Sequence, residues 1–188
     1  NLAQTFAGAG EKVVLIDADL RKPRLHHVFP NAAGSIKGQG LSSFLAGVVK
    51  KGFIAKTEID GVWLIPAGPI PPNPVELLAS SRFAQLIKKL SERFDRIVID
   101  APPHMGFADT LVLSKQVGGL ILVSAIGEAT RDGIRHFKKN MTNVQGVILG
   151  CVVNKLNLSQ KYGYRSYYRY YNSYNYAYQN PEVDEGRV

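Results

Sequence analysis

The stretch Val13-Val14-Leu15-Ile16-Asp17-Ala18-Asp19-Leu20-Arg21-Lys22-Pro23 constrains this chain more than any other. Four apolar residues in a row, without the polar alternation of a half-solvated strand, read as a strand buried on both faces. Strands of that kind belong to parallel sheets covered by helices. The carboxylates of Asp17 and Asp19 then fall where the strand ends, the edge at which open α/β sheets bind ligands. Two carboxylates fixed there suit a hard cation, such as a Mg²⁺ carried by a polyphosphate. Taken alone, the stretch also reads as a polar turn leading into a helix at Pro23. A second stretch of the same design argues against that plainer reading.

That second stretch is Arg96-Ile97-Val98-Ile99, running into Asp100-Ala101-Pro102-Pro103. Parallel strands would bring its end beside that of the first, and three carboxylates at one edge repel unless a cation neutralises them. A magnesium ion bridging phosphate oxygens does so, and it takes up charge as a terminal phosphoryl group leaves. Apolar runs predict strands over 13–16, 62–65, 96–99, 120–123 and 147–153, the last leading into Asn154-Lys155. Helical spacing is expected at the end of 1–10, in 24–29, 41–46, 75–93 (broken near Ser80-Ser81), 109–115 and 130–141. The glycines of 31–40 suggest a loop. Five prolines within the nine residues 66–74 exclude regular structure there. Strands alternating with helices predict an α/β fold, a mostly parallel sheet flanked by helices.

At 188 residues the chain can bury one substantial core, and 45% apolar with 20% charged residues is ordinary for a globular protein. No apolar run reaches the roughly 18 residues of a membrane span. Cys151 is the single cysteine, so no intrachain disulfide forms, and its apolar surroundings read as core. A net charge of +8 favours acidic partners such as nucleotides, nucleic acid or a membrane surface without choosing among them. Residues 162–178 hold all nine tyrosines and no aliphatic side chain larger than alanine. Such a segment cannot bury a core, and a disordered, Tyr-rich tail over 159–188 is expected beside a domain over 1–158.

The whole set resembles the bacterial tyrosine kinases, autokinases of polysaccharide synthesis and export, whose fold is similar to the deviant-Walker P-loop ATPases of cell division and partitioning. Residues 14–21 resemble the family's second Walker motif and 97–103 its Walker B. Residues 68–78 resemble its proline-rich segment, and the tail its autophosphorylation cluster. The resemblance implies ATP and Mg²⁺. Asp17 would be the base for a tyrosine hydroxyl and a metal neighbour, with Asp19 supporting the metal shell and Asp100 binding it through water. Arg21 and Lys22 would lie on phosphate or a neighbouring subunit, and Asn154 on the adenine. Tyr162, Tyr164, Tyr167, Tyr168, Tyr170, Tyr171, Tyr174, Tyr176 and Tyr178 would accept phosphate from neighbouring subunits of a homo-oligomeric ring. A membrane-anchored activator, a cognate tyrosine phosphatase, the cytoplasmic side of the inner membrane and a role in capsule or exopolysaccharide production are implied as well; nucleic acid is not an expected partner. No G-x-x-x-x-G-K-[ST] occurs in the sequence. The resemblance places that phosphate loop, and the strand before it, upstream of Asn1, in a longer protein. Two rival readings use the same residues. One is a partitioning-type ATPase that acts on water. The other is a non-catalytic scaffold whose tail binds nucleic acid or a partner.

Overall fold

The computed structural model describes residues 1–103 and 108–155. In chain order the elements are α1 (Leu2–Gly8), β1 (Val13–Asp17), α2 (Leu25–Val28), α3 (Pro30–Ser35), α4 (Leu41–Leu45), β2 (Ala55–Lys56), β3 (Val62–Ile65), α5 (Pro74–Ala79), α6 (Ser81–Ser91), β4 (Arg96–Asp100), α7 (Asp109–Ser114), β5 (Leu120–Ala125), α8 (Arg131–Asn143) and β6 (Ile148–Asn154). The tyrosine cluster and the domain boundary at 158 lie outside the described residues.

Two compact units are present, one of them Asn1–Leu122 with Thr130–Gly150. It is built on a four-stranded sheet of order β2-β3-β1-β4. β1 pairs in parallel with β3 on one side and β4 on the other, so the sheet is mostly parallel, as expected. Short β2 adds an antiparallel edge that the sequence pattern did not reveal. The described part of the second unit is 123–129 and 151–155. β5 and β6 hydrogen-bond to each other as a separate two-stranded sheet. Cys151, expected in a core, is exposed, as is every residue of β6. An apolar strand sequence does not by itself supply the layer that covers it.

The continuous apolar run of β1 is explained by cover on both faces. Val14 and Ile16 point into a cluster with Leu20, Leu41, Leu78, Phe83 and Leu113. Val13 points the other way, to Ala3, Val62 and Phe6. All three strand residues are fully buried, and each such side chain stabilises the fold by about 1.5–3 kcal/mol. The helical run 75–93 breaks where the serines predict. Ser80 is extended at φ −69° and ψ 149°, and its Oγ accepts the Phe83 N–H at 3.3 Å, capping α6. Residues 31–40 differ from the expected loop, because α3 occupies their first half. Pro30 fits the first turn of that helix, and Ala32 and Ile36 are buried with Phe29, Ala55 and Leu64. Burial of this apolar face overrides the glycine signal.

The proline segment is fastened to the start of α4. The Leu41 and Ser42 amides donate to the carbonyls of Pro66 and Ala67 at 2.8 and 2.9 Å. The Ser42 hydroxyl donates to the Pro69 carbonyl at 2.6 Å. This approach requires glycine at position 40, where a Cβ would lie 2.3 Å from the Pro66 oxygen and 2.4 Å from the Gly68 nitrogen. Both neighbours are backbone and cannot swing aside. Gly40→Ala is therefore expected to destabilise the protein by about 1–3 kcal/mol. The loss should appear as a lowered denaturant midpoint with an unchanged slope, and Ser43→Ala, on the same helix, serves as the control.

Candidate functional site

β1, β3 and β4 run in the same direction, so their carboxyl ends share one edge of the sheet. Asp17 and Asp100 are the last residues of β1 and β4 and stand opposite each other in register. The register continues one step further, where the Ala18 amide donates to the Asp100 carbonyl at 2.8 Å. The expected meeting of the two strand-end carboxylates is therefore present, and it is fixed by backbone pairing.

Asp17 is fully buried. Its Oδ2 accepts the Leu25 amide at 3.1 Å, and its Oδ1 is buried with no hydrogen-bond partner among the described residues. Such an orphaned acceptor costs about 1–3 kcal/mol, more if charged. Burial pushes the Asp17 carboxyl up to about 6. The Leu25 amide works against the rise, and the charge of Asp100 adds to it. Asp19 is half-buried and serves its own loop, with Oδ1 accepting the amides of Arg21 at 3.1 Å and Lys22 at 2.9 Å. Asp100 is raised above the usual carboxylate range, first by protein packed beside it and then by the charge of Asp19. It remains open to water, which makes that rise a small matter energetically.

Three acids thus sense one another at a single edge. Among the described residues, no three of His, Cys, Asp and Glu are gathered closely enough to hold an ion by themselves. That arrangement fits Mg²⁺, which usually takes one or two carboxylates and fills its octahedron with water and phosphate oxygens. The unpartnered Asp17 Oδ1 is the observation that favours a cation here.

Two further expected residues are placed as follows. Arg21 turns its guanidinium to Asp109, with Nε 3.2 and 3.3 Å from the two carboxylate oxygens and Nη2 3.1 Å from Oδ2. Asn154 closes β6 in the second unit, where its Oδ1 accepts the Lys155 amide at 2.8 Å. The sequence reading missed Asp109. It is fully buried, yet an acid at the start of a helix is so ordinary locally that nothing near it signals a partner 88 residues away. The phosphoacceptor tyrosines lie outside the described residues.

The fold and the strand-end acids define a class, the α/β nucleotide-binding proteins of deviant-Walker type. Comparison with known proteins narrows it. No family model matches the chain. The tyrosine-protein kinase CpsD of Streptococcus pneumoniae serotype 4 is 36% identical over 165 residues, covering 87% of this chain and 71% of CpsD. The tyrosine-protein kinase Wzc of Salmonella typhi is 36% identical over 172 residues, 89% of this chain but only 23% of the much longer Wzc. Among solved structures, the kinase domain of the Escherichia coli tyrosine kinase ETK superposes with a TM-score of 0.74 at 30% identity, over 87% of this chain and 64% of that one. MinD of Pyrococcus horikoshii, solved with Mg-ADP, superposes with a TM-score of 0.69 at 22% identity, over 85% of this chain and 64% of that one, and shows the shared fold alone. The chain belongs to the bacterial tyrosine-protein kinase family.

The Asp17 environment fixes a pH dependence. The folded state holds this proton more tightly than the unfolded chain, so the destabilisation is absent below the unfolded pKa of 3.8 and complete above about 6. The rise from 3.8 to about 6 corresponds to on the order of 3 kcal/mol. Asp17→Asn removes the ionisation. With divalent ions chelated, the stability of Asp17→Asn relative to wild type should increase by on the order of 3 kcal/mol between about pH 4 and about pH 7. Chemical denaturation across that range measures it, and parallel profiles would contradict the burial argument.

Proposed function

We propose that this chain is the catalytic part of an ATP-dependent protein-tyrosine autokinase, which transfers the γ-phosphoryl of ATP to tyrosines of its own tail and to cytoplasmic proteins. The observation that carries the reading is Asp17, buried at the end of the central strand with one oxygen unpartnered among the described residues and Asp100 in register beside it. A tyrosine hydroxyl has a pKa near ~10 and needs a proton acceptor. A carboxylate raised to about 6 is ionised at neutral pH and is a better base than an ordinary aspartate. Asp17 would take the hydroxyl proton and also lie next to Mg²⁺. Asp19 would support the ion's shell, and Asp100 would hold it through water. When bound, Mg²⁺ supplies charge neutralisation on the phosphate oxygens. Arg21 belongs to the same phosphate-facing loop with its guanidinium held by Asp109, and Asn154 is assigned to the adenine.

The phosphate loop is proposed to come from sequence upstream of Asn1. In support, β4 has no strand on its far side among the described residues. Its apolar Ile97, Val98 and Ile99 are only half-buried. An added parallel strand would cover that edge and deliver backbone amides and a lysine to the same end of the sheet.

Trans-phosphorylation within a homo-oligomeric ring belongs to the same proposal. Residues 161–188 carry four Lys and Arg against three Asp and Glu. Each phosphate adds about −1.5 to −2 charge, so a few reverse the tail's sign and make adjacent tails repel, which would loosen the ring. A membrane-anchored activator, fused or separate, a cognate tyrosine phosphatase, placement at the cytoplasmic side of the inner membrane and control of capsule or exopolysaccharide production complete the proposal. No described helix is long and apolar enough to cross a membrane.

A partitioning-type ATPase would use the same acids on water, so the decisive product is phosphotyrosine. Mass spectrometry of the full-length protein incubated with Mg-ATP should find phosphate on tail tyrosines. Asp17→Asn should lower its rate of appearance by about 10²-fold or more. ATP hydrolysis without phosphotyrosine would support the partitioning reading instead.

A further inference from the structure

We propose that Arg21 and Asp109 form a positioning latch, in which the first turn of α7 sets the geometry of the carboxylates on both strand-end loops. The inference rests on the phosphoryl-transfer reading above and gives Asp109 and Thr110, which that reading leaves without a part, a role in it.

The first two residues of α7 grip different loops. Asp109 takes the Arg21 guanidinium through a forked contact at 3.1–3.3 Å. Thr110 donates its hydroxyl to the Pro102 carbonyl at 3.2 Å, two residues past Asp100. Arg21 is in turn fixed by its own backbone, since its amide donates to Asp19 Oδ1 at 3.1 Å. The Ala18 amide bonded to the Asp100 carbonyl closes the circuit on the sheet side. A closed ring of short contacts therefore runs from Asp19 through Arg21, Asp109, Thr110 and Pro102 to Asp100 and back to Ala18. Moving any member shifts a carboxylate.

Stability alone accounts poorly for such a pair. The Asp109 side chain is fully buried and that of Arg21 is 33% exposed. Replacing both partners of a buried ion pair by apolar groups is often neutral or stabilising, whereas removing one is costly. What apolar replacements cannot reproduce is direction. The guanidinium fork fixes two hydrogen bonds in one plane, and a lysine in its place supplies a charge without that plane.

The test uses the full-length protein with two variants, the apolar pair Arg21→Met with Asp109→Leu, and the single Arg21→Lys. The first readout needs no nucleotide: hydrogen exchange of the Arg21 and Lys22 amides should speed up by about tenfold or more, with Leu64 in β3 unchanged. The second is the Mg²⁺ concentration for half-maximal transfer, which should rise about 10–100-fold, the usual effect of losing an outer-shell partner, with little change in the nucleotide KM. An apolar pair that keeps the wild-type Tm, amide exchange and Mg²⁺ dependence overturns the latch. Faster exchange with unchanged Mg²⁺ dependence also overturns it, because the pair is then a structural tie only. Should the apolar pair fail to fold, Arg21→Lys decides by the same two measurements. Wild-type protein that makes no phosphotyrosine would sink the kinase reading, and unchanged amide exchange in the variants would still overturn the latch on its own.

Discussion

The carboxylate of Asp17 is fully buried at the end of the central strand, and the surrounding sheet makes that possible. β1 is the middle strand of three parallel ones, and its apolar residues are covered on both faces. That cover holds Asp17 at a buried end, where one of its oxygens has no donor among the described residues. A solvated acid at the same position would relax into water and lose both the raised proton affinity and the fixed aim. Burial of an apolar strand, a matter of folding, thus becomes the source of an unmet electrostatic demand, a matter of function.

The same parallel geometry explains why the separate motifs converge. Each of the three strands delivers its next residues to one edge: Asp17 and Asp19 from β1, Pro66 from β3, Asp100 from β4. The prolines that follow β3 and β4 then act differently. Pro66 and Ala67 give their carbonyls to α4, which fixes the path of the chain across the edge. Pro102 gives its carbonyl to Thr110, which ties the Asp100 loop to α7. Stiff residues that cannot donate are used here as acceptors, and neighbouring helix starts supply the donors.

Much of this was legible in the sequence, and the reason is local. A run such as Val13–Ile16 ending in an acid carries strand, burial and edge in one stretch, and the serines at 80 and 81 carry their own helix break. What escaped reading depends on distant partners. Ala32 and Ile36 form the buried face of α3 only because Ala55 and Leu64 lie beneath them. Arg21 follows two acids and locally suits a phosphate as well as a protein carboxylate. Its engagement by Asp109 is decided 88 residues away. Cys151 misled for the converse reason, since an apolar neighbourhood in sequence does not guarantee a covering layer in space.

An arginine two residues beyond Asp19 is the natural counter-ion for the acids at this edge, and if it paired with them it would compete with a divalent cation for the same oxygens. Asp109 offers that guanidinium a fully buried carboxylate in a fork-to-fork arrangement, the strongest geometry available to it. The Asp19 Oδ1 accepts the backbone amides of Arg21 and Lys22 at the same time. The Asp17 Oδ1 and the exposed Asp100 carboxylate are thereby left for a cation from solution. A buried ion pair near a site is commonly taken as structural reinforcement. Here the pair also engages the guanidinium of a residue that stands two positions beyond Asp19.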